Sequence, residues 1–136
     1  MLFKTNPYDL IFYGKVGCAG NTKQKDLLKK HNISYDDRDI LNTQWSKAEL
    51  LSFFDGLSND EVINQSAPQI KRSEIDLAIS QEALIEMMLD NPILIKRPLI
   101  AIGEAKLCGF DIEKINALLN KKIEEVQDIN KCVMKY

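Results

Sequence analysis

Asp9-Leu10-Ile11-Phe12-Tyr13-Gly14-Lys15-Val16-Gly17-Cys18-Ala19-Gly20-Asn21 runs a strand, a glycine-rich turn and a helix start together without a break. After Asp9, the residues Leu10 to Tyr13 are apolar and mostly β-forming and stop at Gly14, which predicts a buried strand over 9–13. Asn21 is a good N-cap, so the helix is expected over 22–30, with Leu27 and Leu28 inward and Lys23, Lys25, Lys29 and Lys30 in water. A strand, a turn and a helix in that order open a βαβ unit, and the rest of the chain is read against that frame.

The frame requires a second strand, placed at 33–40 despite its acidic content. Ser46-Lys47-Ala48-Glu49 is a capping box for a short helix carrying Leu50, Leu51, Phe53 and Phe54, with Gly56 as its stop. Ser58-Asn59-Asp60-Glu61 repeats the device for a helix through Gln65. A stronger helix, 80–90, has Leu84, Met87 and Met88 at helical spacing and ends at Asn91-Pro92. The period then changes: 93–102 is apolar and β-branched, Gly103-Glu104 is a tight turn, and 105–110 returns, which predicts an antiparallel hairpin. Asp111 caps a final helix burying Ile112, Ile115, Leu118 and Leu119, whose pattern continues weakly through Ile123, Val126 and Ile129. The expected architecture is a mixed sheet of two parallel strands and a hairpin, covered by helices.

At 136 residues the chain suits one domain, and 45% hydrophobic with 28% charged residues is ordinary for a globular protein. A formal net charge of −2 leaves no basic footprint for nucleic acid. The N-terminus has no long apolar core, and no run approaches a membrane span, so a cytoplasmic location is expected, with neither membrane nor nucleic-acid partners. Cys18, Cys108 and Cys132 are odd in number and far apart, unlike a secreted disulfide framework. One histidine, His31, and no paired-cysteine spacing leave almost no ligand set for zinc, and no metal is expected.

The chemistry-bearing residue is Cys18. Between a strand and a helix, flanked by Gly17 and Gly20, its sulfur would meet the free amides and positive end of the helix, which favour a thiolate. Lys15 and Lys23 could add charge. The bland alternative is a buried small hydrophobe, the commoner fate of a free cysteine; the strand–loop–helix context favours the reactive reading. The loop matches neither phosphate-binding glycine pattern. His31 is expected to serve the helix end, while Trp45, Phe53, Phe54, Met87 and Met88 are expected to pack. Asp36-Asp37-Arg38-Asp39 reads as a solvated edge.

Cys18 after the first strand, Asn91-Pro92-Ile93-Leu94-Ile95-Lys96-Arg97-Pro98, and Lys106-Leu107-Cys108-Gly109-Phe110 together resemble the arsenate reductase and Spx-like family, from about Leu10 to Asn120. Gly17-Cys18 with Asn21-Thr22-Lys23-Gln24-Lys25, and Ser66-Ala67-Pro68-Gln69-Ile70-Lys71, resemble its nitrogenase-associated branch. The resemblance implies a thioredoxin-like, glutaredoxin-like four-stranded sheet with helices on both faces. It also implies a domain over 1–122 with a helical insertion at about 46–90, and a C-terminal helical extension or tail over 123–136. Cys18 then matches the nucleophile and Arg97 an oxyanion-binding arginine. Pro98 matches a cis-proline that presents backbone beside the thiol, which implies a cis Arg97-Pro98 bond. Lys15, Gly17, Ala19, Gly20, Asn21 and Pro98 become candidate substrate-binding residues.

The departures are equally specific. The reductases carry a second arginine in the segment aligned with Ile63 to Gln65 and a third at Gly109, and this sequence has neither; a tetrahedral oxyanion is held by several fork-shaped donors. Asn21 stands where Spx-type regulators have the second cysteine of their redox pair. Cys108 is expected in the core, and a reach from Cys132 to Cys18 is disfavoured. The leading expectation is therefore a thiol-dependent redox protein without a bound cofactor, an oxidoreductase of the arsenate reductase type whose single Cys18 nucleophile is served by glutathione or glutaredoxin. The rival is a non-catalytic accessory protein, with a nitrogen-fixation partner, that has lost the anion clamp. An authentic arsenate reductase ranks last.

Overall fold

A computed structural model describes residues 7–130. Four strands form one sheet in the order β2-β1-β3-β4: β1 (Leu10–Gly14), β2 (Tyr35–Asp39), β3 (Leu99–Ile102) and β4 (Ala105–Cys108). β1 and β2 run parallel, with Leu10 opposite Tyr35, while β3 is antiparallel to both β1 and β4. Side chains alternate across the two central strands, as strand geometry demands. Leu10, Phe12, Ile100 and Ile102 enter one apolar cluster, and Tyr13, Leu99 and Ala101 enter the other. Each cluster is roofed by helices. α1 (Ala19–Lys30) and α6 (Ile112–Leu119) cover the first face through Leu28, Ile112 and Ile115. Between β2 and β3, the inserted helices α2 (Lys47–Phe54), α3 (Asn59–Val62), α4 (Pro68–Lys71) and α5 (Gln81–Asp90) cover the second.

Local signals built these elements where the caps are local. Ser46 and Glu49 form the expected capping box, and Asp55 and Gly56 follow the end of α2. Ser80 accepts from the Ala83 amide and Asp111 from the Lys114 amide, the bonds an N-cap makes. α3 is a single turn rather than a helix through Gln65, because Ile63 leaves it to bridge Ile95. α4, started by Pro68 at its first turn, was not anticipated.

Four boundaries differ from expectation. α1 begins at Ala19, so Cys18 rather than Asn21 is its N-cap residue. The stretch 93–102 is not one strand: a 3₁₀ turn (Pro92–Leu94) and the cis Arg97–Pro98 bond precede β3. β4 ends at Cys108, because Gly109 takes a positive φ of 96°. α6 stops at Asn120 in the left-handed region, and 121–130 contain no helix. The apolar residues there are nevertheless used, since Ile123 and Ile129 are buried beside α1 and α6.

β2 is the acidic edge strand. Asp37 pairs with Lys25 at 3.2 Å and Asp36 with Arg38 at 2.8 Å. Such exposed pairs contribute little stability, about 0–1 kcal/mol each, but charges along an edge discourage pairing with another chain. Trp45 and Phe53 pack on Tyr13, and the Trp45 indole donates to the Ile40 carbonyl, so the aromatic cluster is structural.

Candidate functional site

β1 delivers the chain to one end of the sheet. Gly14 ends it at a close approach: a Cβ there would lie 2.7 Å from the Phe12 ring and 2.9 Å from Asn21 Oδ1, so only glycine fits. Lys15 to Gly17 then turn, with Val16 largely exposed, and the Cys18 amide donates to the Lys15 carbonyl at 3.2 Å. The Cys18 carbonyl accepts from the Thr22 amide and hydroxyl, locking the cysteine onto the first turn of α1. The amides of Ala19, Gly20 and Asn21 open that turn, where a helix has no acceptors of its own. No acidic residue lies in the first turn, and Lys29 and Lys30 occupy the last, so the positive end at Cys18 is not offset by a carboxylate in that turn.

Cys18 is wholly buried and disulfide-bonded. The expectation about Cys132 concerns a residue outside the described range.

Asn21 does not cap the helix; it organises the loop. Its Oδ1 accepts from the Lys15 amide at 2.9 Å, its Nδ2 donates to Gln24 Oε1, and Gln24 Nε2 donates to the Ile129 carbonyl at 2.6 Å. Asn21 and Gln24 are 2% and 1% exposed, and a buried amide is retained only where such bonds satisfy it. Sequence reasoning missed Gln24, which reads as one more polar residue among lysines. Lys23 lies with Lys30 on the outer side of α1, beside Val126 and Ile129.

Arg97 and Pro98 come to the same end of the sheet. Tyr13 pairs with Leu99, so the residues entering β3 lie beside the residues leaving β1. Arg97 is buried, and burial pushes its guanidinium pKa down. The Pro98 carbonyl accepts from the Gly109 amide at 2.8 Å, which commits it to the hairpin end.

The other two arginine positions carry no arginine. In the segment aligned with the second, Ile63 is core, and Asn64 is bonded through its amide to Leu94 and through Nδ2 to Ile93. At the third, Gly109 has a positive φ, and a Cβ would lie 3.1 Å from Lys96 Cε. Lys96 lies there, beside Cys108, Gly109 and Asn130 in one concave surface. Sequence reasoning overlooked this cation.

Cys108 is a free thiol near Lys96, its sulfur 3.8 Å from the Glu61 carbonyl. Burial pushes its pKa up to about 11, against a lowering by Lys96. Cys108 is half-buried and packs against the core on the second face of the sheet. The His31 amide closes the end of α1 on the Leu27 and Leu28 carbonyls. Among the described residues, no group of three or more His, Cys, Asp or Glu is placed to hold a metal, and no helix is long and apolar enough to cross a membrane.

Comparison with known proteins gives this architecture its family. Residues 20–118 match the family model of the ArsC family. The chain belongs to the ArsC family. An uncharacterized 15.7 kDa protein of the draG 3′ region of Rhodospirillum rubrum is 33% identical over 125 residues, covering 91% of this chain and 87% of that protein. The global transcriptional regulator Spx of Streptococcus pyogenes serotype M6 is 25% identical over 121 residues, covering 87% of this chain and 90% of the regulator. The crystal structure of an ArsC family related protein from Bacteroides fragilis superposes with a TM-score of 0.71 at 26% identity, over 83% of this chain and 99% of that one. The thioredoxin-like fold read from the sequence is thus the fold of this ArsC-family chain. The match to the family begins two residues after Cys18, so its thiol chemistry rests on its own surroundings.

Proposed function

We propose that this ArsC-family protein is a thiol-dependent oxidoreductase in which reduced Cys18 attacks an oxidised sulfur substrate and forms a covalent adduct that glutathione or glutaredoxin releases. The observation that carries the reading is the position of Cys18 as the N-cap residue of α1, where helix amides and an uncompensated positive end favour a sulfur anion over a thiol. A disulfide at the same sulfur is in keeping with that chemistry. No bound cofactor is required, because thiol–disulfide exchange carries its electrons in sulfur. A cytoplasmic setting, where thiols are kept reduced, suits such a cycle.

Arsenate is a poor fit. The segment 63–65 and Gly109 carry no arginine, and one buried arginine, Arg97, cannot supply the donors that surround a tetrahedral anion. In a coupled assay with glutathione, glutaredoxin and hydroxyethyl disulfide, the wild type is expected to turn over and Cys18→Ser to lose about 1,000-fold or more. Arsenate turnover is expected to stay near background. Disulfide turnover that survives Cys18→Ser, or arsenate reduction at a comparable rate, contradicts the proposal.

The same missing arginines favour a second reading, a non-catalytic accessory protein with a nitrogen-fixation partner. A Cys18→Ser strain that grows normally on dinitrogen, where deletion fails, would select that reading over the first.

A further inference from the structure

α1 carries four lysines, and they divide by what they touch. Lys25 reaches β2, pairing with Asp37 at 3.2 Å, and Lys29 lies 6.0 Å over the Tyr35 ring. Among the described residues, Lys23 and Lys30 have neither an ion pair nor a ring contact. Those two flank a groove of about 310 Å³ with a mostly apolar wall, formed by Lys23, Asp26, Leu27 and Lys30 from α1 and by Val126 and Ile129 from the segment after α6. We propose that this groove binds a small amphiphilic anion, an aliphatic monocarboxylate, with its chain on Leu27, Val126 and Ile129 and its carboxylate at Lys23 or Lys30. The site stands apart from the reading of Cys18 as nucleophile.

Lys23, Asp26, Leu27 and Lys30 are spaced i, i+3, i+4 and i+7, so they share one stripe of the helix. Seven residues of helix rise about 10 Å, which sets the two lysines at the ends of a short channel with Leu27 between them. Val126 is 41% exposed and Leu27 is half-buried, so apolar surface faces water here, although the neighbouring Leu28 and Ile129 are buried. The far wall is fixed in place. Gln24 donates to the Ile129 carbonyl at 2.6 Å, and Asn116 makes two bonds to the Ile123 backbone at the start of the same segment.

Size and charge choose the occupant. A stable protein partner covers roughly 800 Å² on each side, far more than the exposed parts of Leu27 and Val126 present. A cavity of this volume instead lies at the lower end of the range for small-molecule pockets, about 300–1,000 Å³. Asp26 stands between the two lysines without an ion pair to either among the described residues, which leaves the stripe one net positive charge and suits a monocarboxylate rather than a dianion or a cation.

The test titrates the full chain with hexanoate, octanoate, decanoate and octylammonium at about pH 7.5, where the carboxylates are ionised, and follows methyl resonances by NMR. The expected result is saturable shifts centred on Leu27, Val126 and Ile129, with no saturation by octylammonium. Affinity should rise about fourfold per added methylene, the equivalent of about 0.8 kcal/mol. Lys23→Gln with Lys30→Gln, both at exposed positions, should weaken octanoate about fivefold. Val126→Asp should abolish saturation, with methyl resonances elsewhere unchanged in both variants. Octylammonium binding as tightly as octanoate, octanoate binding that ignores the double substitution, or shifts spread over the surface without saturation would each overturn the site. A dimer seen by sedimentation and lost in Val126→Asp would give the groove to a second copy of the chain and overturn it as well.

Discussion

At the scale of single residues, two cysteines at one end of the sheet have opposite surroundings. Cys18 begins a helix, whereas Cys108 ends a strand, with no helix amides to steady an anion and burial holding its pKa at about 11 despite Lys96. At pH 8 only roughly a thousandth of Cys108 is thiolate, so its alkylation in the folded protein should be far slower than after denaturation. The same shift makes a stability statement. A folded pKa raised above the ordinary thiol value means the native state holds its proton more tightly, so the associated stability is fully present below about pH 9 and is lost as pH climbs through about 11. Denaturant melts between pH 8 and 11 should show that decline, and Cys108→Ala should flatten it; parallel curves for the two proteins would refute the assignment. At Gly109 a side chain would meet a strained positive φ and the end of the Lys96 side chain.

At the scale of elements, what the sequence disclosed followed the range of the interaction. The caps of α2, α5 and α6 were legible because Ser46, Ser80 and Asp111 bond within three residues of themselves. The start of α1 was misplaced because Asn21 has the composition of a cap, while its side chain is drawn instead to Lys15 and Gln24. The apolar residues Ile123 and Ile129 looked like a fading helix, but they are paired with partners on α1 and α6 that no local pattern could name. The relay through Gln24 gives this a measurable consequence. Gln24→Ala removes a buried donor from the Ile129 carbonyl and an acceptor from Asn21, which should cost about 1–3 kcal/mol. Hydrogen exchange should accelerate over 123–130 and at the Lys15 amide, while the β3–β4 hairpin keeps its protection; unchanged exchange in 123–130 would show that the tail does not depend on the relay.

At the scale of the whole molecule, the mixed sheet was readable because alternating residues in β1 and β3 feed separate cores on its two faces. The candidate site was readable in part. The strand–loop–helix run located Cys18, and the family's pattern located Arg97 and the cis Arg97–Pro98 bond. Lys96, Gln24 and Asn130 were not legible, because each acquires its role from a contact 13 or more residues away, as with Gln24 to Ile129 and Asn130 to Phe110. The fold itself does not establish the chemistry. That chemistry depends on whether the start of α1 stabilises a sulfur anion once the disulfide is reduced, and the most direct measurement is the pH profile of Cys18 alkylation by iodoacetamide in the reduced, folded protein, resolved by peptide mapping. The account predicts a midpoint below the free-thiol value of about 8.5 and a rate at pH 7 above that of the denatured chain; a midpoint at or above that value, with no rate advantage over the denatured chain, would contradict it.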